Sequence, residues 1–287
     1  MSKLIMSRIF SSLILSVALA ACSMQTGLDR PAAQQQRANE TPVLTDAEQC
    51  SLVLQKSSGA SVTGLEGTNL QLFSWNTHKN TDAAMRADLV RLAEDADLIL
   101  LQEAVINREA FAGIDPAFHW SFSQGYRTEN FSSGVTTASR IRPLAQCSLT
   151  HKEPWLRSPK ATNITEFALA DSDQTLLVIN LHLINFTIGV EAMRQQLLQA
   201  LSFVEQHTGP VIVAGDFNTW NKSRRELVAD ALLSRGLEPV SYDSDYRKRF
   251  LGYALDHTYI RDITVARGTS YPVNTSDHNP TSVTLKF

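Results

Sequence analysis

The chain has 287 residues, 43% of them hydrophobic and 19% charged. That length and apolar share allow one substantial core and exclude wholesale disorder. A formal net charge of −3 excludes a generally basic, non-specific nucleic-acid binder, since such proteins draw most of their affinity from phosphate neutralisation. It leaves open a short basic groove inside an acidic average.

Lys3 and Arg8 flank the start of an apolar run, Ile9 to Ala20, broken only by serines. A positive segment followed by a short apolar one is signal architecture, too short for a comfortable membrane span. The run ends in Leu19-Ala20-Ala21-Cys22, which resembles a bacterial lipobox. Residues 1–22 are therefore expected to be a lipoprotein signal with Cys22 as the lipid anchor; an ordinary cleaved signal peptide or an uncleaved anchor is the alternative. Ser23 matches outer-membrane sorting better than inner-membrane retention. The expected location is the bacterial cell envelope, as an outer-membrane lipoprotein or facing the periplasm. Removing 1–21 takes away Lys3 and Arg8 and no acid, so the mature chain is more acidic. It keeps Cys50 and Cys147, which in an oxidising compartment form one disulfide or remain two buried thiols.

Residues 23–68 read as a tether and N-terminal extension, with Thr45-Asp46-Ala47-Glu48 capping a short helix and 57–69 as loop. From residue 69 onward strands and helices interleave. Leu70 to Trp75 alternates as a strand should. Thr81 to Ala96 has helical spacing. Residues 97–101 are a continuous apolar run, like a buried strand. Further strands are expected at 134–139, 143–149, 164–170 and 176–183. An amphipathic helix spans Val190 to His207, a buried strand 211–214, and a helix 223–235 stopped by Gly236. Strands at 254–260, 263–267 and 282–287 finish the chain. Many strands with a few long helices predict an α/β fold, a single domain over 69–287 in which two sheets pack together with helices outside.

Polar residues repeatedly stand at the ends of these strands. Asn76 follows Phe73-Ser74-Trp75, Glu103 follows the 98–102 run, and His182 lies in Asn180-Leu181-His182. Asp216 and Asn218 follow 211–215, Asp256 and His257 begin a strand, and Asp277 and His278 precede the last one. Strand ends on a rigid sheet hold catalytic groups well. Taken singly, each has a plain explanation as a turn, a helix cap or a satisfied core histidine; their recurrence in order favours a site. The set suits phosphoester hydrolysis with a hard cation, Mg²⁺ or Mn²⁺, which wants oxygen ligands. Glu103 is the expected main ligand, with Asn76 and Asp277 beside it. Asp216, steadied by Asn218, would orient or deprotonate the attacking water. His182 and His278 would donate to phosphate oxygens or the leaving group, and Asp256 would fix the tautomer of His278.

The series Trp75-Asn76, Leu101-Gln102-Glu103, Asn180-Leu181-His182, Gly215-Asp216-Phe217-Asn218, Leu255-Asp256-His257 and Ser276-Asp277-His278-Asn279-Pro280 resembles the endonuclease/exonuclease/phosphatase superfamily over about residues 70–287. Ser133-Gly134-Val135, Glu153-Pro154-Trp155-Leu156, His182 to Phe186 and Gly209-Pro210 are similar to its YafD-like branch. The resemblance implies the four-layer sandwich of DNase I, two mixed sheets flanked by helices, Mg²⁺ or Mn²⁺ dependence, and the roles given above. Two features depart from the DNA-repair members. Those members carry an Asp shortly after the first Asn, where this chain reads Thr77-His78-Lys79-Asn80. They also use a mid-chain Tyr, for which Tyr126 is the nearest candidate without a motif.

The fold does not set the substrate. A nuclease acting on DNA or RNA is expected first, with Arg247-Lys248-Arg249, Arg224-Arg225, Arg140 and Arg142 as groove cations and Trp220 and Tyr246 as stacking rings; the same cations also read as plain surface charge. A phosphoinositide or phospholipid head-group phosphoesterase is the alternative. It would present exposed apolar loops, and no apolar run outside the signal marks one. A third reading is an inactive surface-binding module, against which the intact polar set speaks. The protein is expected to be monomeric and to meet the membrane through its N-terminal anchor.

Overall fold

The computed structural model describes residues 43–54, 64–105, 111 and 113–287. The expected signal segment, Cys22 and the tether up to residue 42 lie outside the described residues. Among those described, no helix is long and apolar enough to cross a membrane.

In chain order the elements are β1 (Val43–Leu44), α1 (Ala47–Leu54), β2 (Leu70–Asn76), a short 3-10 turn (His78–Asn80), α2 (Met85–Leu92), β3 (Leu98–Val105), β4 (His119–Arg127), β5 (Ser132–Ser139), β6 (Ala145–Lys152), β7 (Pro159–Ala168) and β8 (Thr175–His182). Then follow α3 (Glu191–Gln206), β9 (Val211–Asp216), α4 (Lys222–Leu233), β10 (Glu238–Pro239), β11 (Arg249–Phe250), β12 (Tyr253–Ala254), β13 (Asp256–Arg261), β14 (Thr264–Ser270) and β15 (Thr281–Lys286). A seven-stranded sheet has the order β1-β6-β7-β8-β9-β13-β10, and a six-stranded sheet the order β14-β15-β2-β3-β5-β4. Each mixes parallel with antiparallel pairs: β2–β3 and β8–β9 run parallel, β9–β13 and β2–β15 antiparallel.

Strand periodicity sorts the side chains into layers. Leu70, Leu72, Leu98 and Leu100 of one sheet meet Leu176, Val178, Ile212 and Ala214 of the other. Their neighbours in sequence face outward: Phe73, Trp75, Ile99 and Leu101 pack with Met85 and Leu89 of α2, and Leu177, Ile179, Val211 and Val213 pack with α3 and α4. The architecture is therefore the expected four-layer α/β sandwich of the DNase I type.

Three differences from the sequence expectations have physical causes. The helix expected over Thr81 to Ala96 is confined to Met85–Leu92. The strand β4 was not anticipated. Its aromatic residues alternate, but the fully buried positions are Ser121, Ser123 and Gly125, because the amide of Asn163 crosses the sheet interface and donates to Ser121 and Ser123 Oγ at 2.9 Å each. Finally, residues 43–54, placed within the extension, belong to the packed domain. Strand β1 pairs in parallel with β6, and Cys50, fully buried, is disulfide-bonded to Cys147 of β6. Closing so long a loop restricts the unfolded chain and holds α1 on the sheet.

Candidate active site

Two rows of strand ends come together at one end of the sandwich. In the seven-stranded sheet, His182 is the last residue of β8, Asp216 the last of β9 and Asp256 the first of β13, and the register sets all three side by side, His182 opposite Asp216 and Asp256 opposite Asp216. In the six-stranded sheet, Asn76 ends β2, Glu103 lies near the end of β3, and Ser276-Asp277-His278 leads into β15. The sheets are pinned just beneath the site by a buried polar link: Gln102 Nε2 donates to Asn180 Oδ1 at 2.7 Å, and Asn180 Nδ2 donates to the Thr136 carbonyl at 2.9 Å.

Backbone departures aim the side chains. Glu103 sits at a bulge between Leu101 and Ala104 with φ 50°. A β-bulge re-aims a side chain, and a left-handed residue other than glycine is held only where its surroundings over-determine it. Gly215, with φ 136°, passes so close to β8 that an added Cβ would lie 2.1 Å from the Leu181 carbonyl oxygen. Only glycine permits that approach, and it sets the direction of Asp216.

Asp216 is the hub. Its Oδ2 accepts from Asn76 Nδ2 at 3.0 Å and lies 3.5 Å from His182 Nε2 and 3.8 Å from His278 Nε2. Its Oδ1 accepts the Asn218 backbone N–H at 2.9 Å, while the Asn218 side chain donates to the Leu183 carbonyl. Asn218 thus steadies Asp216 through its main chain. Burial pushes the Asp216 carboxyl up to about 6, against the pull of His278. Asp256 Oδ2 lies 2.7 Å from His278 Nδ1. Burial disfavours the imidazolium of His278, but the carboxylates of Asp256 and Asp216 overcome it and raise the group to about 10. A folded-state pKa above the unfolded value near 6.5 stabilises the fold fully below that value, and the contribution is lost as pH rises through about 10. In EDTA, the His278 ring is expected to titrate near pH 10 by NMR and to fall toward ordinary histidine values in Asp256→Asn; a His278 that titrates near neutrality in the unmodified chain would refute this pairing.

Glu103 faces cations. Its Oε2 is 2.8 Å from Lys79 Nζ, and its Oε1 is 3.9 Å from Lys160 Nζ and 3.8 Å from His182 Nε2. Burial alone would raise its carboxyl, but the ammonium groups of Lys160 and Lys79 draw it down to about 2. Lys160 Nζ also lies 2.9 Å from His182 Nε2. Burial, and then this ammonium, push His182 well below its ordinary value, so the ring is neutral and accepts from Lys160 at Nε2. Asp277 belongs to the rim: its carboxylate is 60% exposed and meets His78 Nδ1 at 3.8 Å. A cleft of about 350 Å³ opens beside these groups, lined among others by Lys79, Glu103, Tyr126, Lys160, His182 and Phe186.

Three buried ligand-type side chains, Asp216, Asp256 and His278, lie within 4.8 Å of one another. With His278 drawn toward its protonated form by the two carboxylates, the trio has the geometry of an acid–base relay. The oxygen donors that suit a hard cation are on the other row: Glu103, fully ionised and open to the cleft, with a lone pair of Asn76 Oδ1 left over from the His78 N–H and with Asp277 on the rim. By the chemistry of their oxygens these are the residue types that suit Mg²⁺ or Mn²⁺.

Sequence reasoning missed Lys160 and the role of Lys79. Lys160 opens β7 after Pro159 with nothing local to mark it. Lys79 lies in Thr77-His78-Lys79-Asn80, where the acid of the repair members is lacking. There His78, Lys79 and Asn80 all take left-handed conformations and swing an ammonium onto Glu103. The expected groove cations are largely engaged elsewhere. Arg224 is fully buried and donates to the carbonyls of Ile184, Asn218 and Asn185. Arg247 and Arg249 pair with Asp245, and Arg140 pairs with Asp97 and Asp115.

The chain is similar to known proteins in sequence and in fold. A UPF0294 protein of Vibrio cholerae is 37% identical over 231 residues, 79% of this chain and 81% of the relative. A UPF0294 protein of Photorhabdus laumondii is 37% identical over 218 residues, 75% of this chain and 84% of the relative. In fold, the chain is similar to an endonuclease/exonuclease/phosphatase of Bacteroides vulgatus (TM-score 0.61, 17% identity, 77% of this chain and 99% of the other). It is also similar to the human Nocturnin catalytic domain with bound sulfate anion (TM-score 0.60, 18% identity, 78% and 96%). Residues 73–278 match the Endonuclease/Exonuclease/phosphatase family, and the chain belongs to that family.

Proposed function

We propose that this protein is a divalent-metal-dependent hydrolase of phosphodiester bonds, held in the cell envelope by the lipid on Cys22. The observation that carries the activity is the unbroken chain of contacts from Glu103 through His182, Asp216 and His278 to Asp256. It sets an ionised oxygen donor beside a buried carboxylate poised near neutrality and an imidazolium. A cation held by Glu103, with Asn76 and Asp277 near it, would supply charge neutralisation on the phosphoryl oxygens. The chain's own groups do the rest. Asp216, raised toward neutrality, takes the proton of a water attacking phosphorus. His278, kept protonated by Asp256, offers its Nε2 proton to the charge that builds on the phosphoryl group. Lys160 and Lys79 bring positive charge to the non-bridging oxygens. His182, neutral and accepting from Lys160 at Nε2, fixes that ammonium beside Glu103.

Of the rings expected to stack bases, Trp220 bonds Asn185 at the cleft but has Arg224 over its ring, and neither it nor Tyr246 lines the cleft, where Tyr126 does. A nuclease acting on DNA or RNA lacks the basic track, because the arginines expected to build one are tied to Asp245, Asp97, Asp115 and main-chain carbonyls. Two lysines at a small cleft suit a single phosphodiester group. The deciding assay incubates the purified chain with Mg²⁺, then with excess EDTA, on plasmid DNA, RNA, a phosphatidylinositol phosphate and bis-p-nitrophenyl phosphate. Hydrolysis that EDTA abolishes is expected for at least the small diester. Folded protein inactive on all four would sink the proposal and promote a binding module.

A further inference from the structure

Among the described residues, six of the twelve large apolar side chains left exposed lie on three neighbouring loops. Trp155 and Leu156, on the turn after β6, are 61% and 48% exposed; Phe186 and Ile188, on the loop after β8, 53% and 78%; Phe250 and Leu251, at the β11–β12 hairpin, 55% and 72%. The three loops are tied together at Asn185. Its backbone N–H and that of Phe186 both donate to Glu153 Oε1, at 2.9 and 3.1 Å, which joins the first loop to the second. Its Oδ1 accepts from Trp220 Nε1 at 2.9 Å, and the Trp220 ring packs edge-on against Phe250 at 6.4 Å, which brings in the hairpin. Leu156 and Phe186 also line the cleft, so the apolar patch reaches its mouth on that side. The tips stand clear of the body: Gly189 and Gly252 have φ of 67° and 87°, and a Cβ added at either would meet nothing within 4 Å.

An apolar patch of this kind beside a polar cleft calls for a partner. Leu156, Ile188 and Leu251 have no π face, so base stacking does not account for them. Hydrocarbon accepts aliphatic and aromatic tips alike, and the cleft that Leu156 and Phe186 border holds Lys79 and Lys160, the charge an anionic phosphate needs. The other end of the chain is compatible with the same surface. Strand β1 lies along the beginning of β6, Val43 opposite Gln146; the apolar turn follows the end of β6, about 20 Å away along the strand. The roughly 20 residues between Cys22 and Val43 reach at most about 70 Å, far enough for a chain anchored at Cys22 to lay this face on the same bilayer.

We propose that Trp155, Leu156, Phe186, Ile188, Phe250 and Leu251 form a face that docks into the head-group boundary of a phospholipid bilayer and presents a head-group phosphate to the cleft. The substrate part of this proposal rests on the phosphoesterase reading above.

The test uses the full chain reconstituted into phosphatidylethanolamine–phosphatidylglycerol vesicles with brominated acyl chains. Anchoring through the N-terminus would occur with or without docking, so the readout is local: the emission of Trp155, isolated from the other three tryptophans by difference against Trp155→Phe. Docking is expected to quench that emission roughly two-fold, since tips that insert reach the acyl boundary. The double variant Ile188→Asp, Leu251→Asp is expected to remove most of the quench and leave hydrolysis of soluble bis-p-nitrophenyl phosphate unchanged. An unquenched Trp155 in vesicle-bound protein overturns the proposal. So does a Trp155 shielded from acrylamide by a second copy of the chain in a concentration-dependent dimer, or one quenched by a DNA oligonucleotide and not by bromolipid. Quenching without hydrolysis of the soluble diester would keep the docking face and discard the site reading; hydrolysis without quenching would do the reverse.

Discussion

Glu103→Gln and Asp216→Asn are each expected to lower turnover of a phosphodiester by about 10³-fold or more while the protein stays folded. Glu103 is the ionised oxygen that opens onto the cleft, and its charge is balanced by Lys79 and Lys160. The amide in its place keeps the shape, loses the charge that would hold a hard cation, and leaves two ammonium groups facing a neutral side chain. Asp216 loses its capacity to take a proton, and its new amide group confronts the Asn76 amide and the protonated His278. The effect on stability has the opposite tendency. Burial holds Asp216 up at about 6, so its charged form carries a desolvation penalty that asparagine does not. The melting temperature of Asp216→Asn is therefore expected to stay level or rise, the usual trade between stability and activity. Turnover measured with Mg²⁺ beside thermal melts checks both halves, and near-normal activity in either variant would show that the mechanism is wrong.

Arg224→Met is expected to destabilise the fold by about 4 kcal/mol, because a removed buried donor strands its acceptors. The guanidinium is completely buried on α4, stacks over the Trp220 ring at 4.8 Å and donates to the carbonyls of Ile184, Asn218 and Asn185. It thereby fixes the loop after β8 against the segment that follows Asp216. Arg224→Met is close in volume, so the loss reports hydrogen bonds rather than a cavity. Activity should fall as well, since Asn218 steadies Asp216 through its backbone. Arg225, one residue on and exposed, is the control: Arg225→Met should change stability by less than about 0.5 kcal/mol, as surface substitutions do. Denaturant unfolding of the two variants decides the matter, and equal midpoints would contradict the structural role given to Arg224.

These two expectations mark where sequence reading works and where it fails. Asp216 was legible because a continuous apolar strand, Val211 to Ala214, delivers it, and because it stands in the motif Gly215-Asp216-Phe217-Asn218. Asn76, Glu103, His182, Asp256 and His278 stand out in the same way, each at the end of a strand whose periodicity is plain. Arg224 was misread as a groove cation because charge in a sequence says nothing about burial. A helix position becomes interior only when the loop after β8 folds over it. Lys160 was invisible for a related reason: it contributes through contacts with His182 and Glu103 on other strands, and no local pattern encodes them. The exposed tips escaped notice because they are pairs of apolar residues on three separate loops, each too short to register as an apolar run.

The amino-acid sequence by itself determined most of the strands and the polar residues at their ends, because alternation, apolar runs and turn residues are local signals that each segment carries alone. It thereby determined the four-layer α/β class and the family. Only the tertiary structure decided which of those ends meet, which arginines are buried, that Cys50 joins Cys147, and that the loops at the cleft share one apolar face. Those outcomes depend on register between strands far apart in the chain and on which side of a sheet each residue faces. Cooperative packing of the whole domain sets both, and no single segment contains that information.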